Sequence, residues 1–242
     1  MNESSDANDP ISVWEKHFLV KPEEVAFDYH FFDLYSGDEK KLLAHLRETL
    51  TKLKRPDLSG PIYLIIRELL TNSLKAVYKK LYLEYFIQEM GLGDLSYEEW
   101  LMIFKTEIET HMADNFSNMC RDKDMFVECM IKLDIGDLVI EISNEGAPSD
   151  IEWKRLQESL ARASEIKDMS YLFEEDTTAD DYQEGAGIGV PMILMMLKNI
   201  RNNNLGDFNI KVDNGKTVAR LNLPVAVFMD SNSENETQKV PT

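Results

Sequence analysis

The chain has 242 residues, 43% of them hydrophobic and 10% aromatic, and a formal net charge of −18 at pH 7. This length and hydrophobic share permit one domain of about 200 residues, or two small ones, with a sizeable core. The negative charge argues against nucleic acid or an anionic membrane as the partner.

The cysteines and the N-terminal residues indicate in which cellular compartment the protein is expected. Cys120 and Cys129 have no CxxC spacing, so neither a metal site nor a disulfide is expected of them. No stretch reaches the roughly 18 apolar residues of a membrane span. The polar, acidic N-terminus does not resemble a secretory signal. These features predict a cytoplasmic protein.

The two ends of the chain are polar and rich in Ser, Asn and Glu, and residues 1–12 and 229–242 are predicted to be disordered. One domain is therefore placed at residues 13–228. Its first part includes an aromatic run from Tyr29 to Phe32, which is expected either to pack on the core or to form a homodimer contact.

Helical spacing of apolar residues predicts two helices next, at about residues 37–53 and 61–90. Between them Ser59 is a candidate N-cap, and Pro61 suits a first helical turn. Gly91 follows the second helix and is expected to end it.

The second half of the chain alternates helix and hairpin patterns. Residues 97–119, 149–166 and 190–199 predict helices, residues 167–184 a loop, and residues 125–133 with 137–143 and 208–212 with 217–223 predict two hairpins. Helices combined with a hairpin-rich sheet indicate an α+β sandwich.

Three polar residues on the second helix could bind a phosphate and a metal ion. Glu68, Asn72 and Lys75 are spaced i, i+4 and i+7, so they share one helix face. An amide oxygen can ligate Mg²⁺, a carboxylate can orient a water or hydroxyl nucleophile, and an ammonium can neutralise phosphate charge. The same spacing also fits a solvated polar stripe.

Two further segments could approach a nucleotide. Asn144 stands at the end of an apolar strand and could accept a hydrogen bond from an adenine amino group, with Gly146 allowing close backbone approach. Gly185, Gly187 and Gly189 precede an apolar helix and could bind anions through backbone N–H groups. A plain turn and a flexible hinge explain the two segments equally well.

Other candidates carry less information. Thr217 could offer a hydroxyl to the site or be an ordinary strand residue. His45 lies on a helix but lacks the flanking residues of a phosphoacceptor box, so a packing role is expected of it. Lys79 and Lys80 are expected to be solvated cations at a helix end.

The joint order of these segments resembles the histidine kinase/gyrase-type (GHKL, or Bergerat) ATPases. Residues 68–75 resemble the N box, residues 144–146 the first glycine box, residues 185–189 the second, residues 172–174 the F box of sensor kinases, and residues 215–224 the closing hairpin. The resemblance covers about residues 37–228.

The resemblance implies a two-layer α/β sandwich of Bergerat type. Its sheet would be mixed and mostly antiparallel with helices on one face, and a helical insertion would occupy about residues 91–124. ATP and Mg²⁺ would be its cofactors, with Asn72 ligating Mg²⁺, Glu68 acting as base, Lys75 and Thr217 near the nucleotide, Asn144 and Gly146 at adenine, and Gly185, Gly187 and Gly189 in a mobile lid.

The implied activity is a histidine kinase-like protein that phosphorylates a separate partner protein in signal transduction. Two alternatives stay open. One is a non-catalytic module of this fold that binds a regulatory partner, which is encouraged by Asn144 where the family usually has Asp. The other is an ATP-hydrolysing conformational switch that uses Glu68.

Overall fold

A computed structural model describes residues 26–34, 37–89, 91, 95–109, 113–134, 137–165, 189–200 and 207–224. These residues form an α+β fold with an open sheet of five strands and six α-helices. The strands are β1 (Ala26–Phe31), β2 (Val127–Asp134), β3 (Asp137–Glu145), β4 (Asp207–Asp213) and β5 (Lys216–Pro224). The helices are α1 (Gly37–Lys52), α2 (Ser59–Glu89), α3 (Tyr97–Glu109), α4 (Ala113–Asp122), α5 (Asp150–Glu165) and α6 (Gly189–Ile200).

The strand order is β1-β2-β3-β5-β4, and every neighbouring pair of described strands is antiparallel. The expected mixed sheet is therefore wrong for this part of the chain. The hairpins β2–β3 and β4–β5 impose antiparallel pairing, and the connection from β1 to β2 also reverses the chain direction. Strands β3 and β4 run in the same direction but are separated by β5, which is antiparallel to both. Among the described residues, a parallel contact occurs only as an isolated bridge between Gly146 and Lys216.

One face of the sheet carries the core. Along β2 the side chains alternate between buried and half-buried, as expected when one face packs and the other does not. The packed face continues into β3 through Leu138, Ile140 and Ile142, which pair across the sheet with Leu133, Ile131 and Cys129. The other face of β2 is largely polar.

Helix α2 lies on that packed face and contacts both β2 and β3. Its apolar stripe, which includes Ile62, Ile66, Leu70, Leu74 and Val77, belongs to the same core cluster as the sheet. Helices α1, α4 and α6 pack against α2 in turn. The arrangement has helices on one face of the sheet, as a two-layer sandwich requires.

Both predicted hairpins and the predicted helices at residues 37–53, 61–90, 149–166 and 190–199 are confirmed within one or two residues. Within the segment predicted as one helix over residues 97–119, the structure has helices α3 and α4, and residues 110–112 between them lie outside the described residues.

Two details near the chain start also differ from expectation. Ser59 is not an N-cap, because it is already helical and its hydroxyl donates to the Pro56 carbonyl at 2.6 Å. A short 3-10 helix, Pro56–Leu58, continues directly into α2, so Ser59 is not at a free helix end where a cap would be needed. The aromatic run contributes to the edge strand β1 and packs on the core, with Phe31 fully buried.

The expected helical insertion is integrated with the core. Phe104 of α3 and Phe116 of α4 are buried and lie 6.3 Å apart between ring centroids. Both rings also meet Tyr82 of α2, at 5.4 and 5.9 Å. Aromatic contacts in this range are each worth about 0.5–1.5 kcal/mol beyond their burial, so they hold the insertion against α2.

The remaining expectations concern cysteines, membranes and the chain ends. Cys120 and Cys129 are buried free thiols, as expected, and burial raises the pKa of Cys120 to about 12. None of the helices within the described ranges is long and apolar enough to cross a bilayer. The chain ends expected to be disordered, 1–12 and 229–242, lie outside the described residues.

Candidate functional site

The polar face of α2 carries the first part of the candidate site. The Asn72 side-chain nitrogen donates to Oε1 of Glu68 at 3.1 Å, the i, i+4 contact that the spacing predicts. Asn72 and Lys75 are exposed, whereas Glu68 is half-buried. Because its nitrogen donates to Glu68, the amide oxygen of Asn72 is the atom of this side chain that can ligate a cation.

Gly189, the first residue of α6, lies directly against the carboxylate of Glu68. A Cβ built on Gly189 would overlap Oε1 of Glu68 and lie 2.9 Å from its Cδ. No ordinary side chain fits there without moving Glu68. The end of the Glu68 side chain thus occupies the space beside Gly189, at the start of α6. The expected place of Gly189 in a mobile lid stays a prediction.

The end of β3 forms the second part of the site. Asn144 and Thr217 are direct neighbours across the sheet, on the same face as the core. The Asn144 side chain is only 4% exposed, and its nitrogen donates to the Glu145 carbonyl at 3.2 Å. A buried amide in this position is costly unless its polar atoms are satisfied.

Gly146 continues the chain from this strand end with φ +103°, a conformation that favours glycine. Thr217 donates its hydroxyl to the Gly146 carbonyl at 2.7 Å, and the Gly146 N–H donates to the Gly215 carbonyl at 3.0 Å. These two bonds tie the segment after β3 to the β4–β5 turn. Thr217 thus positions the backbone beside Asn144.

Helix α2 contacts both parts of the candidate site. Lys80 of α2 lies beside Gly146, because a Cβ built on that glycine would contact the Lys80 side chain at 3.4 Å. Glu68 and Lys80 are separated by 12 residues, or about 18 Å along the helix axis. One helix therefore meets Gly189 near Glu68 and Gly146 near Lys80, which defines an elongated site.

Lys79 corrects the expectation of a solvated helix end. Its side chain is 12% exposed and forms an ion pair with Glu152 of α5, which is 19% exposed. Tyr97 of α3 also donates to Glu152, at 3.2 Å, and the backbone N–H of Ser149 donates to it at 2.7 Å. This carboxylate joins α2, the insertion and α5 at one point.

Two opposing effects act on Glu152. Burial alone would raise its pKa, but the hydrogen bond and charge of Lys79, helped by Ser149, outweigh burial and hold the pKa below its ordinary value. The carboxylate is therefore stabilised in its charged form. The sequence signal that could have indicated this residue is the capping box formed by Ser149 and Glu152.

The other residues expected from the sequence are Gly185, Gly187, the segment 172–174 and His45. Gly185, Gly187 and the segment 172–174 lie outside the described residues. The His45 ring stacks on Phe27 with centroids 4.3 Å apart, and its Nδ1 contacts the Tyr29 hydroxyl. His45 thus has the packing role expected of it.

Comparison with known proteins gives no family. An uncharacterised protein of Treponema pallidum (strain Nichols) is 25% identical to this chain over 197 residues, which are 79% of this chain and 35% of that protein. The chain thus spans about a third of that relative's length. No family model matches the sequence, and no solved structure matches it.

We expect Gly189→Ala to lower the free energy of unfolding by about 1 kcal/mol or less, because the new methyl group displaces the Glu68 carboxylate, which is the movable end of a half-buried side chain. Urea unfolding measures the loss. Gly37→Ala is the matched control: Gly37 is also the first residue of a helix, and a Cβ there meets nothing within 4 Å.

Combining Gly189→Ala with Glu68→Ala tests whether the contact with Glu68 causes the stability loss. The three atoms nearest to the new methyl group all belong to the Glu68 side chain. The double variant should therefore be more stable than the sum of the two single losses predicts, by about 0.5 kcal/mol. Strict additivity would show that the two residues do not touch.

We expect Glu152→Gln to cost about 1–3 kcal/mol at pH 7, because it removes the charge that faces Lys79 but keeps a side chain able to complete the capping box. The folded-state pKa of Glu152 is lowered, so its contribution is complete above the unfolded-state pKa of about 4.3. It is lost as the pH falls through the folded-state pKa.

Urea unfolding from pH 7 down to pH 3 should show wild type and Glu152→Gln converging in acid. Glu158→Gln is the control, because Glu158 lies on the same helix and its contact with Lys154 is exposed and 3.9 Å long. It should leave stability nearly unchanged. A Glu152→Gln deficit that stays constant across this pH range would contradict the assignment.

Proposed function

We propose that this chain is a GHKL-type protein of Bergerat fold that binds ATP with Mg²⁺ and transfers the terminal phosphoryl group to a separate partner protein. The proposal joins the resemblance of residues 68–75, 144–146 and 185–189 to the geometry of the described site. The α+β architecture with helices on one face of the sheet also supports it.

One observation carries the proposal. Helix α2 places Glu68, which accepts a hydrogen bond from Asn72, beside Gly189 and, farther along, Lys80 beside Gly146. The buried Asn144 stands at that second end. Residues that could bind phosphate and Mg²⁺ thus lie at one end of this stretch of α2, and an amide that could recognise the base lies beside the other end. An extended nucleotide requires this arrangement.

The orientation of Asn72 fits a magnesium ligand. Its nitrogen donates to Glu68, so its oxygen is the atom left to face a hard cation. Asn72 would hold magnesium through this oxygen, and the ion would supply positive charge to the phosphates. Lys75 is exposed on the same helix face and would add a positive charge near the phosphates.

Asn144 could recognise the adenine amino group through a hydrogen bond. Its nitrogen is bound to the Glu145 carbonyl, which leaves its oxygen as the acceptor. Among the described residues nothing donates to that oxygen. An amino group of the base would satisfy it, whereas a base with a carbonyl at that position would place two acceptors together.

The chemistry of Glu68 favours a hydroxyl acceptor on the partner. A serine or threonine hydroxyl must lose its proton as it attacks the terminal phosphorus, while the bond to the leaving ADP oxygen breaks. The Glu68 carboxylate can take that proton. A neutral imidazole already has a free electron pair, so a histidine acceptor needs no base.

We expect calorimetry to detect ATP binding that depends on Mg²⁺ and to find it at least about 10-fold weaker in Asn72→Ala, because the metal loses its protein ligand. Asn118→Ala is the control, since Asn118 is exposed on α4 and away from the site. Unchanged binding in Asn72→Ala would refute the site. Absence of heat at millimolar ATP would favour the non-catalytic module.

We expect Glu68→Gln to keep nucleotide binding within about 2-fold but to slow phosphoryl transfer by about 10²–10⁴-fold, because the amide retains the contact with Asn72 and cannot accept a proton. Label transfer from γ-labelled ATP to partner proteins provides the measurement. Label released only to water would indicate the hydrolytic switch. Equal rates in both proteins would exclude Glu68 as the base.

A further inference from the structure

On the sheet face opposite the candidate nucleotide site, we propose a divalent transition-metal site formed by Asp28, His30 and Glu128. One ligand atom from each of the three side chains lies within 4.8 Å of the other two. His30 of β1 is directly opposite Glu128 of β2, and Asp28 lies two residues earlier on β1. Alternation along the strand therefore places all three on one face.

The separations suit a metal after small side-chain rotations. In a tetrahedral site with bonds of about 2.1 Å, ligand atoms are about 3.4 Å apart. A gap of 4.8 Å thus needs to close by about 1.4 Å at most. Asp28 and His30 are exposed, and the adjustment needs only side-chain rotation, because the paired backbones of β1 and β2 keep their spacing.

Two neighbours orient the ligands. The Phe126 ring stacks on the His30 imidazole with centroids 4.0 Å apart. The Ser143 hydroxyl donates to Oε2 of Glu128 at 3.2 Å, from a side chain that is itself buried. Contacts of this kind, which fix an imidazole ring and a carboxylate, commonly surround metal ligands and raise affinity.

Charge also favours a cation here. Within the described ranges neither Asp28 nor Glu128 has an ion-pair partner. Two carboxylates from adjacent strands therefore face the same point uncompensated, and a divalent ion would neutralise both. One imidazole with two carboxylates suits Zn²⁺ or Mn²⁺ better than Mg²⁺ or Ca²⁺, which prefer oxygen ligands alone.

The bound ion would fasten the edge strand β1 to β2. Water would complete its coordination, because the described residues supply three ligands. Cys129 lies next to Glu128 in sequence but faces the core, so it cannot contribute its sulfur. The site is separate from Glu68 and Asn72 and does not depend on the proposed function.

The test is a Zn²⁺ titration of the full, tag-free chain by calorimetry, with Mg²⁺ present in excess to occupy weak acidic sites. Wild type should bind one Zn²⁺ per chain. His30→Ala and Glu128→Gln should each weaken binding by at least about 10-fold, and Ser143→Ala by about 10-fold. Glu141→Gln, on the same sheet face but outside the cluster, should bind as wild type.

A second readout separates ligand loss from misfolding. Zn²⁺ should raise the midpoint of thermal unfolding of wild type and Glu141→Gln but not that of His30→Ala. Without metal, all variants should unfold with similar midpoints. Binding that is unchanged in His30→Ala, equally weakened in Glu141→Gln, or absent from wild type would overturn the proposal.

Discussion

The packing of α2 along the sheet determines where every candidate site residue can lie. This helix has 31 residues, about 46 Å in length, and its apolar stripe is buried against β2 and β3. A helix fixed on one side has no freedom to rotate, so its polar residues must appear at the margin of that contact. Glu68 and Asn72 therefore face the start of α6, while Lys79 and Lys80 face α5 and the end of β3.

The elements that depend on a local residue pattern could be predicted from the sequence. The two hairpins follow from turn residues between apolar strands, and α2 follows from helical spacing, so both were predicted closely. Contacts between distant segments leave no such pattern. Nothing in the residues around Gly189 indicates that its missing side chain makes room for Glu68, because that contact exists only after α6 packs on α2. The pairing of Lys79 with Glu152 is of the same kind.

Strand β1 shows a different limit. Its alternation places Phe27, Tyr29 and Phe31 towards the core and Asp28 and His30 on the opposite face. From sequence alone, burial in the core was the commoner fate for the aromatic run, and a dimer contact stayed open beside it. Pairing with β2 shows the core packing, since it supplies the apolar neighbours Val127, Cys129 and Ile131 on the core side.

The register of β3 links the two proposed sites. Ser143 and Asn144 are consecutive, so their side chains point to opposite faces of the sheet. Ser143 donates to Glu128 on the outer face, while Asn144 lies beside Thr217 on the helix side. A shift of one residue would exchange them, burying a serine at the nucleotide end and removing the donor from Glu128. The apolar row Leu138, Ile140 and Ile142, which fills the core, prevents that shift, so the same packing that stabilises the sheet keeps both polar sites in place.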